Sequence, residues 1–331
     1  MKKKIAIIGA GIAGLTIAKK LAIDYHITIF DKSRGIGGRM ATRRIEEYHF
    51  DHGAQFFTAK TNEFQKFCHK AQKDDIIAPW QCKLVEINDG LIIHNHANKI
   101  YPYYVAKPQM NNLCKYLSKD LPVILQTTIL ALTFKNNKWS VITDNQNSAL
   151  AIEKLTDFDG VILATPPQQA LAILPKNFIG YNLVQKTKML GCFTLMLGLK
   201  KPLKLPFDAA KVKNSIIQWV AVNNSKPQRP NNTALVIHSD NHWAEQNIEE
   251  NLTIIKDKLI ANLQKIILIK PEDIIYQNIH RWRYAATLKK PTEASFFDSK
   301  LKLGVCGDWL LGSKVENAFL SATNLATKIN F

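Results

Sequence analysis

The sequence predicts an α/β protein, a Rossmann-like dinucleotide-binding domain interleaved with a mixed-sheet α+β domain. Three observations predict it. The first is the opening run Lys3-Lys4-Ile5-Ala6-Ile7-Ile8-Gly9-Ala10-Gly11-Ile12-Ala13-Gly14-Leu15, an apolar strand entering a three-glycine turn and leaving as a helix. The second is Asp31, which ends the next apolar strand (Ile27 to Phe30). An acid roughly 20 residues past such a turn is placed to bind a ribose hydroxyl. The third is a continuous apolar run that ends in Ala164-Thr165-Pro166. Such a run suits a parallel strand covered on both faces, with small residues at the end where these sheets bind ligands.

Each glycine of the turn has a physical role. Gly9 permits the tight turn, Gly11 lets the backbone approach a pyrophosphate, and Gly14 lets helix and strand pack closely. The N–H groups that open the helix supply the anion site. At this point NAD and FAD are undivided.

At 331 residues the chain has room for two domains, and 46% hydrophobic with 21% charged residues is an ordinary globular composition. No apolar run is long enough to span a bilayer, so no membrane role is expected. The Met1-Lys2-Lys3-Lys4 start imitates a secretory signal, but the apolar segment behind it carries the phosphate-loop glycines. Five widely spaced cysteines without a CxxC pair argue against a disulfide framework or zinc site, and a cytoplasmic location is expected. The net charge of +17 comes from scattered lysines without aromatic interleaving. That excludes a nucleic-acid surface and suits an anionic small molecule.

Along the chain, Lys32 follows Asp31, and a second glycine cluster, Gly35-Ile36-Gly37-Gly38-Arg39-Met40, comes directly after. Arg39 can neutralise phosphate through charge-assisted hydrogen bonds. The segment Asp51-His52-Gly53-Ala54-Gln55-Phe56-Phe57-Thr58 sets small residues before a glutamine and two aromatics. Residues 61–72 read as a helix with Phe64, Phe67 and Cys68 on one face, and 80–87 with 91–96 as a hairpin around Asn88-Asp89-Gly90. His94 and His96 alternate on that hairpin without a third ligand nearby, so no metal is expected. Lys107 to Cys114 opens a helix, and 123–126, 129–135 and 138–143 read as strands. In the second domain, 192–199, 215–222 and 234–238 are strands, and Ile248, Leu252, Ile255, Leu259 and Leu263 form one helix stripe. The strand 273–284 ends in His280-Arg281-Trp282-Arg283-Tyr284, which predicts an aromatic wall with an anion clamp. Trp282, Arg283, Tyr284 and His238 are the candidate substrate contacts. A final strand runs into Gly307-Asp308, followed by a helix over 318–328. The expected division is 1–60, 100–170 and 290–331 for the nucleotide domain, with 61–99 and 171–289 for the substrate domain.

Taken together, the GxGxxG turn, Asp31, Gly37-Gly38-Arg39-Met40 and the Gly53-Ala54-Gln55-Phe56 segment resemble the FAD-dependent amine-oxidase superfamily, and within it the renalase-like branch. The resemblance implies a fold of the glutathione-reductase/amine-oxidase type and a non-covalent FAD. It implies cofactor contacts from Gly9, Gly11, Ile12, Ala13, Gly14, Asp31, Lys32, Gly38, Arg39, Met40, Gln55 and Phe56. Further contacts are implied from the backbone at Ile129, from Ala164 and Thr165, from Gly307 and Asp308, and from Glu316, Asn317 and Ala318 at the start of the last helix. That helix start would face the flavin N1/O2 and stabilise negative charge on the reduced ring. The chain departs from the pattern at Gln109 and at Asn317, where relatives carry glycine. Cys306 lies inside a strand, a poor tether for covalent flavin, and nothing fixes Lys289 or Lys290 beside N5. The implied reaction moves a hydride from 2- or 6-dihydro isomers of NAD(P) to flavin N5, with O2 as acceptor. An amine oxidase acting on a carbon–nitrogen bond and a non-catalytic flavin-binding protein are the alternatives.

Overall fold

A computed structural model describes residues 1–93, 100–144 and 152–331, together with the backbone of Asn145. The expected hairpin strand through His94 and His96 therefore lies partly outside the described residues. The chain divides into two units, residues 1–39, 113–189 and 287–331, and residues 40–112 and 190–286.

In the first unit the apolar run becomes the strand Lys4–Ile8, whose residues from Ile5 onward are buried. It lies inside a six-stranded sheet in the order Phe296–Asp298, Leu303–Val305, Gly160–Leu163, Lys4–Ile8, His26–Phe30 and Val123–Ile124. Every pairing is parallel except that of Phe296–Asp298. The chain winds outward from the first strand in both directions, so its carboxyl end lies where strand order reverses, the place such sheets use for ligands. The helix Ile12–Leu21 packs against the last helix, Val315–Lys328. A separate antiparallel sheet holds Thr127–Lys135, Lys138–Asn145 and Ile152–Phe158. Its first turn uses Asn136 and Asn137 at φ 51° and 60°, the left-handed pair that two-residue hairpins favour.

The second unit is built on a seven-stranded mixed sheet. Its order is Ile274–Thr287, Met189–Leu199, Ala234–Ser239, Ile217–Val222, Ala209–Lys213, Leu84–Asn88 and Leu91–Ile93. Leu84–Asn88 runs parallel to Ala209–Lys213 and antiparallel to Leu91–Ile93. The helix Leu252–Leu263 buries Ile255, Leu259 and Leu263 in a core with Phe193, Leu195 and Ile237, while Ile248 precedes the helix. The helix Asn62–Lys73 starts at Thr61, whose hydroxyl accepts the Phe64 N–H.

Residues 40–60 and 100–112, expected with the nucleotide domain, cluster with the second unit. Within that unit Asp51 ties the two segments to the rest, bonding the Met110 N–H and the side chains of Lys226 and Arg229. Residues 171–188 cluster with the first unit instead. There the Ile179 N–H bonds Asp298 and Gly180 lies against Phe178 and Phe296. No helix among the described residues is long and apolar enough to cross a membrane.

Candidate functional site

The glycine turn shows which glycines serve the protein and which leaves room. Gly9 has φ +108°, and a β-carbon there would lie 2.8 Å from the Ala164 carbonyl oxygen. A β-carbon on Gly14 would lie 1.8 Å from the Gly9 oxygen. Gly11 is different. Its φ of −83° suits any residue, and a β-carbon there would meet nothing within 4 Å among the described residues. The backbone needs no glycine at this position, so the space is a cradle that a side chain would fill. Gly11 caps the first helix without a side-chain hydrogen bond, and the first turn, with Ile12 and Ala13, carries no acid. The opening N–H groups of a helix have no carbonyl of their own to bond.

Asp31 braces this cradle. Its two carboxylate oxygens accept the Ala10 N–H at 2.7 Å and the Ser33 N–H at 2.8 Å, with lone pairs left over for a hydroxyl. Lys32 beside it is exposed. The second glycine cluster closes on the first. The Gly37 N–H bonds the Ala10 oxygen at 3.1 Å, and the β position of Gly38 (φ +53°) lies 3.6 Å from the Gly11 Cα.

Two motifs from opposite ends of the chain then meet. Arg39 grips Asp308 through two parallel bonds, Nη1 to Oδ2 at 2.9 Å and Nη2 to Oδ1 at 2.5 Å. Asp308 is buried, whereas the Arg39 side chain is 31% exposed. Two parallel bonds fix the plane of a guanidinium and leave its other donors for a phosphate. Gly307 is a glycine because a β-carbon would lie 2.5 Å from the buried Trp309 indole nitrogen. That nitrogen donates to the Thr165 carbonyl at 3.1 Å. The Thr165 hydroxyl is shielded from solvent with no partner among the described residues. Ala164 holds its place by donating to the Ile8 oxygen.

The last helix begins at Val315, three residues earlier than expected, so Glu316, Asn317 and Ala318 form its first turn. Asn317, in place of the expected glycine, donates to the Leu311 carbonyl at 2.9 Å and to the Gly312 carbonyl. It thereby ties the helix start to the turn before it. Ile129 is buried opposite Thr143 at a register shift in the antiparallel sheet. Cys306 is buried, which pushes its thiol up to about 12.

Met40, Gln55 and Phe56 belong to the second unit. Met40 is buried in it, and Phe56 packs among Tyr103, Trp219 and Trp80, with ring centroids 4.3, 5.7 and 6.4 Å away. The Gln55 side chain is held inside the unit. Its Nε2 donates to the Asp51 carbonyl at 2.5 Å and the Gly53 carbonyl at 3.0 Å, and its Oε1 accepts from Lys226 Nζ at 3.2 Å.

Behind Gln55 lies a charged cluster that the sequence does not announce. Asp51 Oδ2 accepts from Lys226 Nζ at 3.2 Å and from Arg229 Nε and Nη2 at 3.1 and 2.8 Å. Its Oδ1 accepts from the Thr42 hydroxyl at 2.6 Å and the Met110 N–H at 3.3 Å. The side chains of Asp51, Lys226 and Arg229 have no solvent exposure. Burial would raise the Asp51 carboxyl, but the two cations outweigh it and hold it down at about 2. Burial also pulls Lys226 down to about 8, against the attraction of Asp51. Lys226 and Arg229 stand in a Pro-containing stretch that reads as an exposed turn, and only their distant partner in the Asp51-His52-Gly53 segment could have signalled them.

The expected wall and clamp do not share a face. Along the strand Ile274–Thr287 side chains alternate, which separates His280, Trp282 and Tyr284 from Arg281 and Arg283. Trp282 stacks on His52 at 5.2 Å and donates to the His52 carbonyl at 2.9 Å, with His280 edge-on at 4.3 Å. Tyr284 is half-buried. Arg283 is exposed and paired with both Glu249 oxygens, and Arg281 donates to the Glu250 carbonyl over the Phe193 ring. Burial first, then neighbouring positive charge, lowers His238 to about 3. His52 is lowered to about 4 by burial, then by His280 and Arg43, and His280 to about 4 by burial, then Arg43.

The parallel sheet, the open turn at Gly11 and the acid at Asp31 define the first unit as a Rossmann-like nucleotide-binding fold. Comparison with known proteins agrees. Residues 7–71 match the family described as NAD(P)-binding Rossmann-like domain. The whole chain shares its fold with the crystal structure of an Exiguobacterium sp. 255-15 protein that carries the provisional name protoporphyrinogen oxidase. The TM-score is 0.78 at 12% identity, over 99% of this chain and 98% of that one. A stretch of 51 residues is 45% identical to the 4,4'-diapophytoene desaturase (4,4'-diaponeurosporene-forming) of Staphylococcus aureus strains Newman and USA300. The matched stretch is 15% of this chain and spans 10% of the desaturase.

Proposed function

We propose that this protein is an FAD-dependent oxidoreductase of the amine-oxidase type, and specifically a renalase-like oxidase of 2- and 6-dihydro isomers of NAD(P). The observation that carries the reading is the meeting of motifs in one unit. Gly11, Gly38 and the Arg39–Asp308 pair lie together although Arg39 and Asp308 are 269 residues apart in sequence. The residues present fit the cofactor, because the Gly11 cradle is open and the Thr165 hydroxyl is a shielded group without a partner among the described residues. In this reading the N–H groups of Ile12, Ala13 and Gly14, with Arg39, neutralise the pyrophosphate, and Asp31 accepts from a ribose hydroxyl. Asp308 orients Arg39, and the first turn of the last helix, from Glu316 to Ala318, presents N–H groups toward developing negative charge. Bound FAD supplies the chemistry, accepting a hydride from the substrate and returning the electrons to O2 as peroxide.

The net charge of +17 supports an anionic dinucleotide substrate. Arg283 contributes less than the sequence suggests, since it is paired with Glu249. Five buried thiols fit a cytoplasmic location. Both the desaturase and the oxidase it resembles are named for redox reactions. The test is anaerobic mixing of flavin-loaded protein with dihydronicotinamide isomers and with a panel of amines. The expected result is rapid bleaching of the flavin by the isomers and none by amines. Bleaching by an amine alone assigns a carbon–nitrogen oxidase instead, and a flavin that no donor reduces overturns the enzymatic reading.

A further inference from the structure

We propose that Arg43, Asn278 and His280 form a phosphate-binding subsite on the second unit. All three belong to that unit, so the inference stands whether or not the proposed redox activity holds. The site is built where the hairpin of Arg43–Ile45 and Tyr48–Phe50 meets the strand Ile274–Thr287. Phe50 stacks on Tyr276 with ring centroids 5.4 Å apart. Arg43, paired opposite Phe50, donates from Nη1 to Asn278 Oδ1 at 2.7 Å. His52 meets His280 edge-on at 5.1 Å. Tyr276, Asn278 and His280 alternate onto one face of their strand, which sets Arg43 and His280 in one row.

The row leaves donors over and no acid. Arg43 only donates, so the Asn278 atom it meets is the amide oxygen, and the NH2 end is unspent. The other guanidinium protons of Arg43 bond nothing among the described residues, and no carboxylate pairs with it there. Asp51, the acid next to His52, is already bonded by Thr42, Lys226, Arg229 and the Met110 N–H. Neither ring nitrogen of His280 has a hydrogen bond among the described residues. Burial, then the charge of Arg43, lowers His280 to about 4, so at neutral pH the ring offers one N–H. Arg43, Asn278 and His280 are all half-buried, and their unbonded nitrogens stay open to solvent.

A half-buried cation among donors lacks the counter-charge that such groups ordinarily have. An oxyanion supplies it. Asn278 and His280 stand about 7 Å apart along the strand, a gap that one oxyanion spans with a hydrogen bond at each end. The oxygens of a carboxylate are both taken up by the arginine fork, whereas a phosphate has oxygens left for the amide and the imidazole. Arg43 thereby supplies the anion contact that the sequence placed at Arg281 and Arg283, which are held by the Glu250 carbonyl and by Glu249.

The test is calorimetric titration of the full-length protein, as purified, with inorganic pyrophosphate at pH 7 and low salt. Wild type is expected to bind, and Arg43→Met to bind roughly 10–100-fold more weakly, the worth of hydrogen bonds from a charged group. Asn278→Asp sets a carboxylate against Arg43 in place of the anion and is expected to abolish binding. Arg44→Met removes an equal charge from the exposed neighbour and should bind as wild type does. Adenosine diphosphate, titrated in parallel, separates the phosphates of a nucleotide from the free anion; binding of either that is lost in Arg43→Met supports the subsite. Equal losses in Arg43→Met and Arg44→Met mean diffuse attraction to a surface of net charge +17 and overturn it. Binding lost in Gly11→Val but kept in Arg43→Met belongs to the glycine cradle and overturns it too, as does equal affinity for glutarate. Proton NMR of His280, assigned by its loss in His280→Gln, needs only the wild type. The charged and titratable groups around that ring are Arg43 and His52. Pyrophosphate should raise its titration by about 1–3 pH units, as an opposite charge nearby does. A His280 signal that saturating pyrophosphate leaves unmoved overturns the proposal even where every variant fails to fold.

Discussion

Replacing Asp51 by alanine removes the anion that two fully buried cations share. In the structure Lys226 and Arg229 both bond Asp51 Oδ2, and Thr42 and Met110 bond Oδ1. Breaking a buried pair by removing one partner costs about 3–5 kcal/mol, because the charge left behind is uncompensated. Here two charges are left, so the lower end of that range is a floor. Against a typical stability of about 5–15 kcal/mol, the second unit would lose a large share. Lys226→Met is the contrasting change. It leaves Asp51 bonded to Arg229, Thr42 and Met110, and it relieves the burial of one charge. It strands the acceptor of Gln55 at about 1–3 kcal/mol, while Asn223 Oδ1 keeps the Asp51 N–H at 3.4 Å, and the loss is partly offset by that relief. The assay is urea unfolding at pH 7 followed by tryptophan fluorescence, to which Trp80, Trp219, Trp243 and Trp282 contribute from the second unit. Asp51→Ala should lower the midpoint by about 1 M or more, given slopes of up to roughly 3 kcal/mol per molar. Lys226→Met should lower it by clearly less. Equal midpoints for the two variants, or a larger loss from Lys226→Met, would refute the reasoning.

The same cluster sets a pH dependence. Lys226 titrates at about 8 in the folded protein against an ordinary lysine value of 10.5, so the unfolded chain binds more protons between those values. Stability contributed through Lys226 therefore rises as pH goes from 8 to 10.5, and Lys226→Met should flatten that rise in a midpoint-versus-pH series. Asp51 acts at the other end. Its pKa is lowered from 3.8 to about 2, so its contribution is fully present above 3.8 and is lost as pH falls through that interval. At the glycine turn, Gly11→Val should keep the unfolding free energy of the flavin-free protein within about 0.5 kcal/mol of flavin-free wild type while abolishing retention of flavin on a desalting column. Gly14→Val, by contrast, should yield little folded protein, because its β-carbon would overlap the Gly9 carbonyl. The five thiols are all buried, with Cys114, Cys192 and Cys306 pushed up to about 12, so a disulfide reagent should label them only after denaturation.

The parallel sheet was legible because its signals are local: continuous apolar strands, a glycine turn and an acid at a fixed spacing. The long-range pairing was not. Arg39 and Asp308 each look like cofactor ligands in sequence, and only the fold shows that they grip each other. The strand Ile152–Phe158 is not legible because charged residues interrupt its alternation, and Ala209–Lys213 because its alternation spans only Ala210 to Lys213. The arginines beside Trp282 promised a clamp by proximity in sequence, yet strand alternation sends them to the other face. Lys226 and Arg229 were invisible for a deeper reason. Lysine and arginine are ordinarily surface residues, and their burial depends on one carboxylate, Asp51, contributed by a distant segment.

The central claim is that the cradle at Gly11 holds FAD in the protein as purified. Acid denaturation of the desalted protein, followed by chromatographic identification of what is released, tests it directly. Release of intact FAD in equimolar amount, absent from Gly11→Val, is the predicted result. Release of NAD(P) in place of flavin, or FAD bound equally well by Gly11→Val, would contradict it.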